Sequence, residues 1–208
     1  MKEFKLIFWD FDGVIKDSVE IKTQVYCSLF EPFGLTVAEK VRKHHTANGG
    51  ISRFDKLPIY LQWAGVKLDE EIINEYCENF SRQVLQEVIN SPWVEGAENY
   101  LRNNCYKQIF VLVSATPQDE LEYILKALDL IKCFSRIYGA PTPKQEAIFK
   151  TIQDLNLEPA ESLMIGDAIA DLKAAESNQV PFLLRRHASN AEIFSSYEGL
   201  SVGDFVQL

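Results

Sequence analysis

Residues 7–18 read Ile7-Phe8-Trp9-Asp10-Phe11-Asp12-Gly13-Val14-Ile15-Lys16-Asp17-Ser18. An apolar run, Leu6 to Trp9, ends abruptly in two aspartates one residue apart, then a glycine. This predicts a buried strand that delivers carboxylates to its C-terminal tip, where open α/β sheets place their chemistry. On a continuing strand Asp10 and Asp12 would point the same way. Holding two anions together costs free energy unless a cation or a proton compensates. The pair therefore implies a divalent metal, an acid/base pair, or both.

Working outward, three further β-rich runs stand apart: Gln108–Ser114, Ser162–Gly166 and Pro181–Arg185, with Arg136–Gly139 as a weaker one. Helical patterns at Pro117–Leu130, Pro143–Leu155 and Ala168–Ser177 alternate with them. Such alternation predicts an α/β fold, a Rossmann-like parallel sheet with helical crossovers. The stretch 16–91 breaks the pattern and holds no convincing strand. Apolar residues at Ile72, Ile73, Tyr76, Phe80, Val84, Leu85 and Val88 recur near the helical period. Val19–Phe30, Val37–His45 and Ser52–Trp63 also read as helices. The expected organisation is a core of residues 1–15 and 92–208 and a helical bundle of residues 16–91 inserted after the first strand. Pro92 marks its return.

The chain has 208 residues, 47% hydrophobic and 25% charged, with a net charge of −9. That balance is globular, and it argues against a general nucleic-acid or membrane partner. Cys27, Cys77, Cys105 and Cys133 form no CxxC pair and read as reduced structural thiols rather than a zinc site. No stretch is long and apolar enough to span a bilayer, and the N-terminus lacks the apolar region of a signal peptide. A cytoplasmic protein is the expectation, with monomer or homodimer left open.

Three later strand tips carry chemistry. Val113-Ser114-Ala115-Thr116-Pro117 ends a strand in a hydroxyl, with Thr116 placed as N-cap and Pro117 as first helical residue. Free N–H groups there favour an anion; a turn-capping role for Ser114 is the plainer alternative. In Thr142-Pro143-Lys144-Gln145 the same cap signals place Lys144 in a first helical turn, where an anion in front would relieve its clash with the helix dipole. A solvated surface lysine is the alternative there. In Ile165-Gly166-Asp167 a third strand ends in an acid, and Asp171 follows at helical spacing, on the same side if a helix starts near Asp167. One sheet edge would thus gather Asp10, Asp12, Asp167 and Asp171 opposite Ser114 and Lys144. Hard oxygen ligands without His or Cys suit Mg²⁺, and Mg²⁺ with a lysine suits a phosphoryl group.

Asp10-Phe11-Asp12-Gly13-Val14, Ser114 after an apolar strand, Lys144, and Gly166-Asp167 with Asp171 occur in the order of the four motifs of the haloacid dehalogenase superfamily, and the chain resembles that family over essentially its whole length. The insertion after the first motif is similar to the small helical cap of phosphoglycolate phosphatases and β-phosphoglucomutases. The resemblance implies a Mg²⁺-dependent phosphomonoesterase acting on a small phosphorylated metabolite. Asp10 would be the nucleophile and Asp12 the proton carrier. The metal would be held by Asp10, the Asp12 carbonyl and Asp167, with Asp171 orienting the site. Ser114, the Ala115 N–H and Lys144 would hold the phosphate. An acid at Asp12 fits a phosphate ester, whose alkoxide leaving group needs a proton. Gly166-Asp167 matches the phosphatases, where the mutases usually carry adjacent acids, so a sugar phosphomutase is the second expectation.

In the inserted segment Gly50-Ile51-Ser52-Arg53 is similar to the mutase segment whose arginine meets a second phosphate. Arg53, with Ser52 and supported by Lys56, is the candidate for substrate specificity; the alternative has Ser52 capping a helix and Arg53 solvated. His44 and His45 read as packing or surface residues.

Overall fold

In the computed structural model, which describes residue 1 and residues 3–207, the opening apolar run is a strand, β1 (Leu6–Trp9), buried along its whole length. It is flanked in the sheet by β2 (Ile109–Pro117) and β4 (Ser162–Gly166), with Leu6 aligned to Ile109 and Ser162. With β3 (Arg136–Ala140), β5 (Phe182–Arg185) and the short β6 (Ser201–Val202) it completes a parallel sheet in the order β3-β2-β1-β4-β5-β6. The chain winds from β1 outward to β3, then returns to the other side of β1. The crevice of this switch lies at the C-terminal ends of β1 and β4, where open sheets of this kind bind ligands.

Both faces of the sheet are covered, which is why its strands read as continuous apolar runs. Ile7 and Trp9 pack on one face with Phe110, Leu112, Leu163 and Ile165. Leu6 and Phe8 pack on the other with Val111, Val113 and Met164.

Between β1 and residue 91 the chain forms four α-helices: α1 (Val19–Phe30), α2 (Leu35–Ala47), α3 (Arg53–Trp63) and α4 (Glu70–Asn90). Their shared interior is aromatic, with Tyr26 against Phe80 at 4.2 Å and Phe30 edge-on to Tyr60 at 5.6 Å between centroids. The outgoing and returning connections run side by side: the Asp17 N–H donates to the Pro92 carbonyl at 2.8 Å, and the Val94 N–H to that of Ile15 at 3.0 Å. The later helices are α5 (Ala97–Asn103), α6 (Gln118–Ala127), α7 (Lys144–Leu155) and α8 (Ile169–Ser177). Neither α5 nor β6 is signalled by the sequence patterns; both are too short to establish a period.

All four cysteines are unpaired. Among the described residues no helix is long and apolar enough to cross a membrane.

Candidate active site

The tip of β1 holds the first acid. The Asp10 N–H donates to the Ile165 carbonyl at 2.9 Å, continuing the ladder with β4. The strand itself ends at Trp9. The chain then turns through Gly13 at φ +75°, so the alternation that would aim Asp10 and Asp12 alike does not apply, and their carboxylates meet different partners. A Cβ on Gly13 would stand 2.2 Å from Asp167 Oδ2, so only glycine lets this turn close against the β4 tip.

Asp10 Oδ1 accepts a hydrogen bond from Lys144 Nζ at 2.7 Å, and Asp171 Oδ1 accepts from the same ammonium at 2.5 Å. Asp10, Asp167 and Asp171 are buried, and each offers an oxygen within 4.8 Å of the others. Burial, then the neighbouring Asp171 charge, raises the Asp10 pKa to about 7 against the pull of Lys144. Asp167 and Asp171 are also raised by burial, with His187 and Lys144 respectively opposing the rise. Burial works against the Lys144 charge too, but Asp10 and Asp171 outweigh it and hold its pKa above the ordinary value.

Asp167 precedes α8, which begins at Ile169 rather than near Asp167. The two acids still converge, because Asp171 Oδ2 accepts from the N–H groups of Asp167 and Ala168 at 3.3 and 3.1 Å. Asp167 is positioned by two residues that carry no sequence motif: His187 Nε2 lies 2.8 Å from its Oδ2, and Asn190 donates to its carbonyl at 2.8 Å.

Asp12 faces the helical segment. Its Oδ1 accepts from Ser18 Oγ at 2.6 Å, and its Oδ2 from Lys22 Nζ at 2.5 Å and Thr116 Oγ1 at 3.3 Å. Burial alone would raise its pKa, but the Lys22 ammonium and the Ser18 hydroxyl bring it below the ordinary value. Lys22 also donates to Thr116 Oγ1 at 3.0 Å.

The cap signals at the two threonines are corrected by the structure. β2 runs on to Pro117, which pairs with Ala140 of β3, so α6 starts at Gln118 and Thr116 is free to serve Asp12. Pro143, not Thr142, is the N-cap of α7, and Lys144 is its first residue. Ser114 is buried, and its Oγ accepts from the Thr116 N–H at 3.1 Å; with Ala115 and Lys144 it lines one pocket. Ala115, Asp10, Asp12 and Asp167 line a cavity of about 70 Å³ that reaches the helical segment.

That segment contributes Lys22, Arg53 and Lys56 to the cavity wall. Ser52 caps α3, accepting from the Phe54 N–H at 3.4 Å. Arg53 is buried rather than solvated. Its two terminal nitrogens donate to Glu120 of α6 at 2.9 and 2.7 Å, one of them also to Ser81 at 2.6 Å, and it lies over the Phe80 ring. Lys56 and His45 are buried together, 3.1 Å apart.

The sequence profile described as Haloacid dehalogenase-like hydrolase matches residues 7–184, most of the chain and all four strand tips that build this site. The chain belongs to the haloacid dehalogenase-like hydrolase family. This hydrolase is similar to a phosphorylated carbohydrates phosphatase of Thermotoga maritima, at 24% identity over 82% of this chain and 80% of that protein. Its fold superposes on a predicted phosphoglycolate phosphatase from Haemophilus somnus with a TM-score of 0.75, at 21% identity, covering 99% of this chain and 96% of the other. It also superposes on a β-phosphoglucomutase from Clostridium difficile with a TM-score of 0.74, at 22% identity, covering 99% and 93%. The parallel α/β sheet with flanking helices is thus the fold of this family.

Proposed function

We propose that this hydrolase is a phosphomonoesterase that works through an aspartyl-phosphate on Asp10, with a small phosphorylated metabolite as substrate. The observation that carries the reading is the division of labour between two carboxylates on one cavity: Asp10 beside Lys144 and Asp171, and Asp12 beside Lys22. The phosphatase name of the Thermotoga relative supports the same chemistry.

An Asp10 oxygen attacks phosphorus as the bond to the leaving oxygen breaks, and the Asp12 carboxyl gives its proton to that oxygen. Asp12, now a carboxylate, takes a proton from water. The water oxygen attacks phosphorus, the bond to Asp10 breaks, and phosphate leaves. Lys144 offsets charge on the phosphoryl oxygens throughout. Lys22 favours the ionised form of Asp12, which the second half requires.

The donor set fits Mg²⁺: Asp10, Asp167 and Asp171 supply only carboxylate oxygens, and Lys144 alone leaves them an excess of negative charge. Asp10, Asp167 and the Asp12 carbonyl would hold the ion, with Asp171 orienting them; the ion would supply Lewis-acid charge at the phosphoryl group. The mutase alternative has less support, because the guanidinium it assigns to a second phosphate is paired with Glu120.

The test is p-nitrophenyl phosphate hydrolysis with MgCl₂. Turnover should vanish in Asp10→Asn and on chelation, and be restored by Mg²⁺. Retained turnover in Asp10→Asn would remove Asp10 as nucleophile. With β-glucose 1-phosphate, free phosphate supports the phosphatase and glucose 6-phosphate the mutase.

A further inference from the structure

Four cations stand at this cavity or against its acids, and three have a carboxylate in contact: Lys144 with Asp10 and Asp171, Lys22 with Asp12, Arg53 with Glu120. Lys56 has none within 4.0 Å among the described residues. It lies on α3 one turn beyond Arg53 and is 2% exposed. Among the described residues its nitrogen has one hydrogen-bond partner, His45 Nδ1 at 3.1 Å, and it faces the Tyr26 ring at 6.0 Å. A buried ammonium without a counter-charge in contact is costly, and a bound anion relieves it.

We propose that Lys56, backed by His45, is the receptor for a second anionic group on the substrate's leaving alcohol, and that Arg53 is instead a structural tie to Glu120. The proposal rests on the phosphatase reading above and names its substrate class: a phosphate ester whose alcohol also carries a carboxylate or a second phosphate. Three features support this. Lys56 opens on the same cavity as the nucleophile Asp10, so one small molecule can meet both. His45 is held neutral by burial and by the Lys56 charge, its pKa well below the ordinary histidine value, so Nδ1 accepts from the ammonium and aims it. Burial, then the Lys22 charge, brings the Lys56 pKa down to about 7 against the pull of Asp12 and Asp167, a penalty that a bound anion offsets.

The experiment compares kcat/KM on matched esters with MgCl₂. One arm sets 2-phosphoglycolate against ethyl phosphate, the other 1,3-propanediol bisphosphate against 3-hydroxypropyl phosphate. The wild type should favour the anionic ester by about 30-fold in at least one arm, the scale of a charge-assisted contact, and the arm identifies the anion. Lys56→Met should bring that ratio toward unity, and Lys56→Arg should keep most of it. A wild-type ratio near unity in both arms, or a ratio that survives Lys56→Met, overturns the proposal. If Lys56→Met does not fold by circular dichroism, amine-selective acylation of wild type read by mass spectrometry decides. Protection of Lys56 by the anionic ester alone supports the receptor, and equal labelling overturns it. If no ester is turned over, the phosphatase reading fails by itself. Calorimetry of the same esters on Asp10→Asn then tests the anion site alone, where equal affinities overturn it.

Discussion

Lys22 sits 2.5 Å from Asp12 Oδ2 and favours the ionised form of this proposed proton carrier. Removing it leaves burial, which raises a carboxylate pKa, opposed mainly by Ser18. In Lys22→Met the acidic limb of the kcat–pH profile should therefore move to higher pH. The right substrate is p-nitrophenyl phosphate, whose leaving group needs no proton, so that the water-activating step reports Asp12. The maximum should fall about tenfold, against roughly 10²–10⁴-fold for Asp12→Asn; an unmoved limb would show that Lys22 does not govern Asp12. Sequence reading reaches Asp10, Asp12, Asp167 and Lys144 because each follows an apolar strand or a cap signal. It does not reach Lys22, His187 or Asn190. Their partners among the acids, Asp12 and Asp167, lie 10 or more residues away, joined by turns whose course no local pattern encodes.

The contact of Arg53 with Glu120 ties α3 to α6, with side chains 3% and 18% exposed. Removing one partner strands the other's charge inside the protein, which costs about 3–5 kcal/mol for a buried pair. Arg53→Met and Glu120→Leu should each lower the urea midpoint strongly. The double variant should lie closer to wild type than the sum of the two singles, a coupling that denaturation curves measure directly. Additive losses would mean that the pair is not a tie. The central strands are legible because both their faces are buried, and α4 because it repeats its apolar face over several turns. The starts of α6 and α7 shift by a residue because Pro117 and Pro143 stay extended as N-caps, where local cap rules put them inside the helix. Glu120 gives no signal in sequence: it is one of several acids in the first turns of helices, and only the approach of α3 distinguishes it.

Across the molecule, three buried carboxylates and one ammonium make the metal-free protein pH-sensitive. Asp10 has its pKa raised from 3.8 to about 7. A raised carboxylate stabilises the fold below its unfolded pKa, and that contribution is lost as pH climbs through the folded value. Melting temperature without metal should thus fall between about pH 4 and pH 7 relative to Asp10→Asn. MgCl₂ should raise it most at the upper end, and Asp167→Asn should lose most of that gain. A Mg²⁺-independent melting curve would contradict the donor set. The winding of the sheet is legible from strand and helix alternation, while the closeness of the two connections at Asp17 and Pro92 is not, since it joins residues on either side of four helices. Those adjacent connections are the covalent links of residues 18–91 to the sheet. Any turn of residues 18–91 about these links would part Lys22 from Asp12 and Arg53 from Glu120, the ion pairs that, among the described residues, fasten this segment to Asp12 and to α6. Each such opening would bring four charged groups to the solvent, where dissolved ions screen them far better than in the closed interior. Higher ionic strength would therefore favour any such opening.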